Sequence, residues 1–387
     1  MTKIGIEKLG FYIPRHYLAL STLAHRNGID PAKFSRGIGQ ELIAVPSHDE
    51  DIVTLGAEAA RPVIDACGTD GIDTVLFATE TGIDQSKAAG IYVHGLLGLP
   101  ANCRCVELKQ ACYSATAALQ MACGHVARKP DRKVLIIASD VSRYDLDSPA
   151  EATQGAGAVA MLVSSDPKVL EIDPWTGLFT QDIMDFWRPN YRKTPLVDGK
   201  YSALRYLSTM GEAWNDYVSQ GGRAYEDLAQ FCYHLPFSRM AQKAHRQLAL
   251  LNKTSVDNEK CLPGMEYNRV IGNCYAASLY LSLISMLENT AADLSGQPVG
   301  LFSYGSGAVA EFFSGVVQPG YRDHLMVAHH KALIDERVEL SYEDYLTLWH
   351  APDPQDGSAV ENPVAARGRY RLAKIDEHKR HYIDAQA

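Results

Sequence analysis

Three side chains far apart in the sequence could together carry out acyl chemistry: the carboxyl of Glu80, the thiol of Cys112 and the imidazole of His234. Cys112 follows a strand-like stretch and a short turn, and opens a helical pattern. The N–H groups and dipole at a helix N-terminus stabilise a thiolate and can hold the oxyanion of an acyl intermediate. Against this stands the burial tendency of free Cys, which makes a core thiol the plainer reading. Glu80 closes the apolar run Val75-Leu-Phe-Ala-Thr79, and the C-terminal end of a buried strand is where α/β sheets place their ligands. Burial there raises a carboxyl pKa and suits general acid/base work; a solvated loop carboxylate is the alternative. His234 lies in Phe231-Cys-Tyr-His-Leu-Pro-Phe237, a setting that equally fits a hydrogen-bonded core histidine. Arg239 and Lys243 share one face of the helical stretch Arg239 to Leu250 by their i, i+4 spacing. Beside an apolar slot they suit a phosphate-bearing, pantetheine-like acyl carrier, whereas a solvated helix face needs no ligand.

These residues need elements to position them. Val75 to Thr79, Arg104 to Leu108 and Val134 to Ser139 read as strands, with helices over Lys87 to Leu97 and Cys112 to Arg128. The alternation predicts an α/β architecture with helix-covered sheets. Gly155-Ala-Gly-Ala-Val-Ala160 recurs as Gly305-Ser-Gly-Ala-Val-Ala310. A dinucleotide fingerprint needs a helix to follow the glycines, but Met161 to Val163 reads as a strand ending in a turn. The two motifs instead predict similar glycine turns in two halves of an internal duplication. Trp175 to Tyr217 has patchy helical periodicity and is expected to form cap and pocket walls. Ala351 to Gly368 is expected to be an exposed loop.

Bulk composition narrows the class. With 387 residues, 46% hydrophobic and 21% charged, the chain can build a large core. A net charge of -9 argues against a nucleic-acid binder. No signal-peptide pattern or membrane span is evident, so a cytoplasmic location with eight reduced cysteines is expected. Cys103 and Cys105 alone make a poor zinc signature, and no metal site is expected.

Several stretches jointly resemble the hydroxymethylglutaryl-CoA synthase family, in its bacterial mevalonate-pathway form. They are Ala78-Thr-Glu-Thr-Gly-Ile-Asp84, Glu107-Leu-Lys-Gln-Ala-Cys-Tyr113, Thr153-Gln-Gly-Ala-Gly-Ala158 and Asp185-Phe-Trp-Arg-Pro189. Pro195-Leu-Val-Asp-Gly199, His234-Leu-Pro-Phe237, Tyr267-Asn-Arg-Val-Ile-Gly-Asn273 and Phe302-Ser-Tyr-Gly-Ser-Gly307 continue the series. The likeness runs in order from Gly5 to His330 and fades after Ala351.

The resemblance implies a thiolase-like fold, a duplicated α/β/α/β/α layered sandwich, and a homodimer. Residues 1–165 would form the half with the nucleophile. Residues 166–387 would form the half with a cap insertion and the His and Asn of the site. It implies that Cys112 is the nucleophile, Glu80 the general acid/base and His234 the group orienting the acetoacetyl acceptor. Asn273 would help hold the acceptor carbonyl, and the Ser306 N–H would lie near the acyl oxygen. Asp30, Thr153, Ser202 and Lys243 would contact the CoA thioester, and Tyr144 would line the pocket. Arg239 stands where a lysine is common, keeping the charge with a different geometry. The implied reaction condenses acetyl-CoA with acetoacetyl-CoA through an acetyl-Cys intermediate, with no cofactor beyond the CoA thioesters. The alternatives are a polyketide β-branching synthase acting on an acyl carrier protein and, less well supported, a Cys-His thioester hydrolase.

Overall fold

The computed structural model describes residues 3–386. Its central elements are β1 (Gly5–Tyr12), α1 (Ile52–Cys67), β2 (Ile72–Ala78), α2 (Ala89–Leu97), β3 (Arg104–Leu108), α3 (Ser114–Arg128), β4 (Lys133–Ser142) and β5 (Gly155–Ser164). They continue with β6 (Leu170–Thr180), α4 (Gly199–Ser219), β7 (Gln230–Tyr233), α5 (Met240–Leu251), α6 (Ser278–Asn289), β8 (Pro298–Gly305) and β9 (Val309–Val317).

The nine strands run in the order β7-β8-β9-β6-β1-β5-β4-β2-β3. β1 and β6 meet only through Gly5↔Glu171 and Ile6↔Leu170, so this sheet is two sheets joined at one corner. Read outward from the junction, β1-β5-β4-β2 and β6-β9-β8-β7 repeat one plan, two antiparallel pairings and then a parallel one. This is the duplicated arrangement that the sequence predicts. α1 covers β1, β4 and β5, and α4 covers β6 and β9. α3 and α6 lie between the sheets: the Thr116 hydroxyl on α3 is 2.9 Å from the Tyr280 hydroxyl on α6 and donates to Ser303 Oγ on β8 at 2.8 Å. Five layers result.

The sequence explains the layers. Every residue of β5 is buried, as expected of a strand covered on both faces. α3 buries Ala115, Ala118, Leu119, Ala122 and Val126, small residues at helical spacing that allow close approach to a sheet. α6 is buried from Ser278 to Leu287, the mark of a helix enclosed on all sides. Asp51 starts α1 with a capping box closed by Thr54.

Three sequence expectations change. Gly155 begins a strand; only Gly305 to Ala308 forms a tight turn, between β8 and β9. Both motifs still sit at equivalent antiparallel pairs, β4/β5 and β8/β9. Most of the expected cap, Trp175 to Tyr217, is regular structure: Trp175 to Thr180 belongs to β6, and α4 packs against the sheet through buried Tyr206, Met210, Ala213, Trp214 and Tyr217. Leu204 on its outer face is exposed, which blurs the helical period. Only 181–198 forms pocket wall. After the irregular 351–368 the chain adds a hairpin, β10 (Tyr370–Asp376) and β11 (Lys379–Asp384). Fully buried Asp49 fastens it, accepting from Arg371 Nε at 2.8 Å and from the Ala365 and Ala366 N–H groups. The third change concerns the start of α3 and bears directly on the site.

Candidate active site

α3 begins at Ser114, not at Cys112. Cys112 sits in a turn after β3, preceded by Ala111 at φ +43°. A non-glycine residue in the left-handed region costs of order 1–3 kcal/mol and is held by its surroundings. Cys112 is half-buried, and its Sγ–H donates to Glu80 Oε2 at 3.6 Å. The sequence places these side chains 32 positions apart; parallel pairing of β2 with β3 carries their loops to the same sheet end.

Electrostatics correct the expectation of a resting thiolate. Burial first, then the carboxyls of Glu80 and Asp140, push the Cys112 pKa well above its ordinary 9.0. The dipole of a helix starting two residues later does not offset that. The resting group is a thiol, and it needs a base. Glu80 is buried, and desolvation followed by repulsion from Asp140 raises its pKa to about 8, with Arg188 opposing. This carboxyl can change protonation state near neutral pH, as acid/base work requires.

Asp140, which sequence reasoning missed, positions Glu80. Its fully buried carboxylate accepts from the Thr79 hydroxyl at 2.7 Å, the Glu80 N–H at 2.9 Å, and the Thr81 N–H and hydroxyl at 3.0 and 2.6 Å. Its second oxygen takes the Ala276 N–H at 3.0 Å, tying the Glu80 loop to the other half. The available signal was an acid at the end of the strand Val134 to Ser139, the same signal that marked Glu80. Arg188 donates to the Glu80 carbonyl oxygen.

His234 follows β7 directly. Its N–H donates to the Phe302 carbonyl, and its own carbonyl accepts from the Tyr206 hydroxyl, both at 2.8 Å. Burial lowers its pKa to about 3, so the ring is neutral, and its buried Nδ1 has no partner among the described residues. Asn273 Oδ1 accepts from the Tyr275 N–H and the Ser278 hydroxyl, each at 2.9 Å; the amide is oriented with Nδ2 left to donate. The Asn273 N–H donates to the Thr153 carbonyl at 3.2 Å. Tyr144 is buried, with its ring 6.4 Å from that of Tyr275.

Ser202 reaches the Ser306 turn through fully buried Asp185. That carboxylate accepts from the Ser202 hydroxyl at 2.9 Å, the Tyr304 hydroxyl at 2.7 Å and the Gly307 N–H at 2.9 Å. The motif Asp185 to Pro189 carried the family resemblance, yet nothing in it marked Asp185 as a hub. A cavity of about 1210 Å³ reaches Glu80, Ala111, Arg188 and Ser306 and is walled in part by Leu372 and Arg380 of the terminal hairpin.

Arg239 and Lys243 line a separate recess of about 510 Å³ together with Arg246. All three cations are exposed. Asp30 is exposed as well and holds only its own turn, accepting the Ala32 N–H at 2.9 Å. The structure brings Glu80 and Cys112 into contact, joins Asn273 to Thr153 and Ser202 to the Ser306 turn, and leaves Asp30 and the Arg239–Lys243 pair at the surface. Among the described residues no His/Cys/Asp/Glu cluster is arranged to hold a metal.

Known proteins with this architecture place it. Residues 1–168 match the family described as Hydroxymethylglutaryl-coenzyme A synthase N terminal, and residues 247–383 match its C-terminal counterpart. The chain is 41% identical to the hydroxymethylglutaryl-CoA synthase of Enterococcus faecalis, over 98% of its own length and 99% of that protein's. It belongs to the hydroxymethylglutaryl-CoA synthase family. A crystal structure of an HMG-CoA synthase complexed with CoA superposes with a TM-score of 0.94 at 40% identity, covering 98% of this chain and 99% of the other. A more distant relative, the polyketide biosynthesis 3-hydroxy-3-methylglutaryl-ACP synthase of Bacillus subtilis, is 35% identical over 90% of this chain and 88% of its own. The chain is thus a thiolase-fold condensing enzyme of the acyltransferase class. The family match reaches residue 383, so the terminal hairpin, where the sequence resemblance faded, belongs to the family's pattern.

Proposed function

We propose that the chain condenses acetyl-CoA with acetoacetyl-CoA to give hydroxymethylglutaryl-CoA and free CoA, using Cys112, Glu80 and His234. The observation that carries this assignment is the 3.6 Å contact between the Cys112 thiol and the raised Glu80 carboxyl.

Glu80 accepts the thiol proton as Sγ attacks the acetyl carbonyl, and collapse of the tetrahedral intermediate releases CoA as its thiol. The Ser306 N–H is the donor to the oxyanion. Glu80 then removes a methyl proton from acetyl-Cys112, and the enolate carbon attacks C3 of acetoacetyl-CoA. Neutral His234 and the Asn273 amide polarise that ketone, and the resulting alkoxide is protonated by Glu80. Water cleaves the thioester, giving the product carboxylate and free Cys112. By the family resemblance, Asp30, Thr153 and Ser202 contact the CoA thioester and Tyr144 belongs to the pocket. Arg239 and Lys243 take the CoA phosphates by charge-assisted bonds. Every step uses side chains, backbone, water and the CoA thioesters.

A homodimer accords with the exposed edge strand β3, where Arg104 and Val106 face solvent, since unpaired edges invite a second copy. A cytoplasmic location accords with eight free thiols. The test measures CoA release from acetyl-CoA with and without acetoacetyl-CoA, then product mass, and repeats turnover with an acetoacetyl-carrier protein at equal concentration. Acetoacetyl-dependent product with preference for the CoA acceptor is expected. Preference for the carrier-bound acceptor would move the chain to the β-branching class, and acetate alone would make it a hydrolase.

A further inference from the structure

The peptide that joins Ser306 to Gly307 is gripped at both ends. Its carbonyl oxygen accepts from Gln110 Nε2 at 3.2 Å, and its N–H donates to Asp185 Oδ1 at 2.9 Å. Gln110 stands two residues before the nucleophile, and its own carbonyl accepts the Tyr113 N–H at 3.1 Å. The two turns touch through backbone: a Cβ on Gly305 would fall 2.6 Å from the Gln110 carbonyl oxygen and 2.6 Å from Tyr113 Cβ. The turn must therefore be built on glycine, with Gly307 at φ +116°, and glycine backbones are the freest to rotate. The Ser306 N–H belongs to the preceding Gly305–Ser306 peptide, and in a turn between glycines that N–H keeps one direction only when the peptide beside it is fixed.

We propose that Gln110 is a positioning residue that locks the Ser306 turn and so aims the Ser306 N–H at the acyl oxygen on Cys112. The inference rests on the assignment of that N–H as an oxyanion donor. Gln110 itself touches no reacting atom. It supplies a neutral donor, which a carbonyl acceptor requires, from the same segment that carries the thiol. Nucleophile and oxyanion donor, contributed by opposite halves of the duplicated fold, are thereby held to one geometry. Asp185 fixes the other end of the peptide from the 181–198 wall.

The test uses the full-length protein and acetyl-CoA labelled with ¹³C at the carbonyl. Glu at position 110 keeps the length but presents oxygen to the Ser306 carbonyl. Losing one oxyanion donor outright costs about 10²–10³ in kcat, so a misdirected donor in Gln110→Glu should cost about tenfold or more, with KM for acetyl-CoA changed less than about twofold. The infrared carbonyl stretch of acetyl-Cys112 should move towards that of a free thioester. Gln110→Met, similar in length with no donor, should act alike and keeps the test open should the Glu variant not fold. A third variant replaces the Ser306 amide by an ester through the hydroxy-acid analogue of serine, deleting the N–H. If the ester moves the stretch while both Gln110 variants keep the native stretch and kcat, the positioning role is overturned and the oxyanion assignment stands. If the ester leaves the stretch unmoved, the assignment falls and the positioning role with it.

Discussion

Glu80→Gln should separate catalysis from stability with opposite signs. In the fold the Glu80 carboxyl has a pKa of about 8, against an ordinary 4.5. A raised carboxyl pKa means that the fold resists its ionisation. Below about pH 4.5 both folded and unfolded chains hold the proton, and the residue is neutral in its effect. From there to pH 8 the unfolded chain has lost the proton while the folded chain keeps it, so stability falls by about 1.36 kcal/mol per pH unit. The penalty reaches roughly 3 kcal/mol at pH 7 and about 5 kcal/mol above pH 8. Gln has nearly the same shape, cannot ionise, and can still accept from the Cys112 thiol. The variant should therefore match the parent near pH 5, exceed it by about 3 kcal/mol at pH 7, and gain further at pH 9. At roughly 2.1 cal/mol/K of unfolding entropy per residue, 3 kcal/mol in 387 residues is a Tm rise of about 4 °C. Thermal scans at pH 5, 7 and 9 measure it, beside an assay of condensation, which should fall at least about 10²-fold. A gap between the two proteins that does not widen with pH would refute the raised pKa, and with it the reason for assigning Glu80 the proton transfers.

The remaining expectations test the other parts of the site. Cys112→Ala should take up no acetyl label from radioactive acetyl-CoA, and stoichiometric label on another residue would remove Cys112 as nucleophile. Lys243→Ala should weaken acetoacetyl-CoA binding about tenfold or more, since charge-assisted contacts to phosphate contribute roughly 1.5–3 kcal/mol; unchanged affinity by calorimetry would place the phosphates elsewhere. Arg371→Leu leaves fully buried Asp49 without its cation and should cost about 3–5 kcal/mol in urea unfolding. The same change should loosen the hairpin wall of the cavity, read as faster amide exchange over 365–384.

Sequence alone determined the class of the fold and the chemical cast. Apolar runs broken by helical periods can be buried only as covered sheets, and two near-identical glycine motifs revealed the duplication. Glu80 at a strand end and Cys112 after a strand and turn were candidates, with a loop carboxylate and a core thiol as the plainer readings until the family's pattern decided between them. His234 was chemically ambiguous in its aromatic stretch and became specific only through the family's pattern. Local signals failed where the deciding contacts are distant. The patchy period of Trp175 to Tyr217 concealed β6 and α4, whose buried faces are defined by strands on the other side of the chain. The thiolate expected at Cys112 became a thiol because the packed layers bury it and, beyond that, set the carboxyls of Glu80 and Asp140, 32 and 28 positions away in sequence, beside it. Asp140 repeated the strand-end signal of Glu80, and Asp185 and Gln110 lay within stretches that carried the family resemblance, but nothing local told their roles, which come from the backbone groups the two halves present to them. Periodicity and residue type are properties of neighbours in the chain and survive in the sequence. Desolvation, charge proximity and the aim of a backbone N–H depend on distances that only the packed layers set.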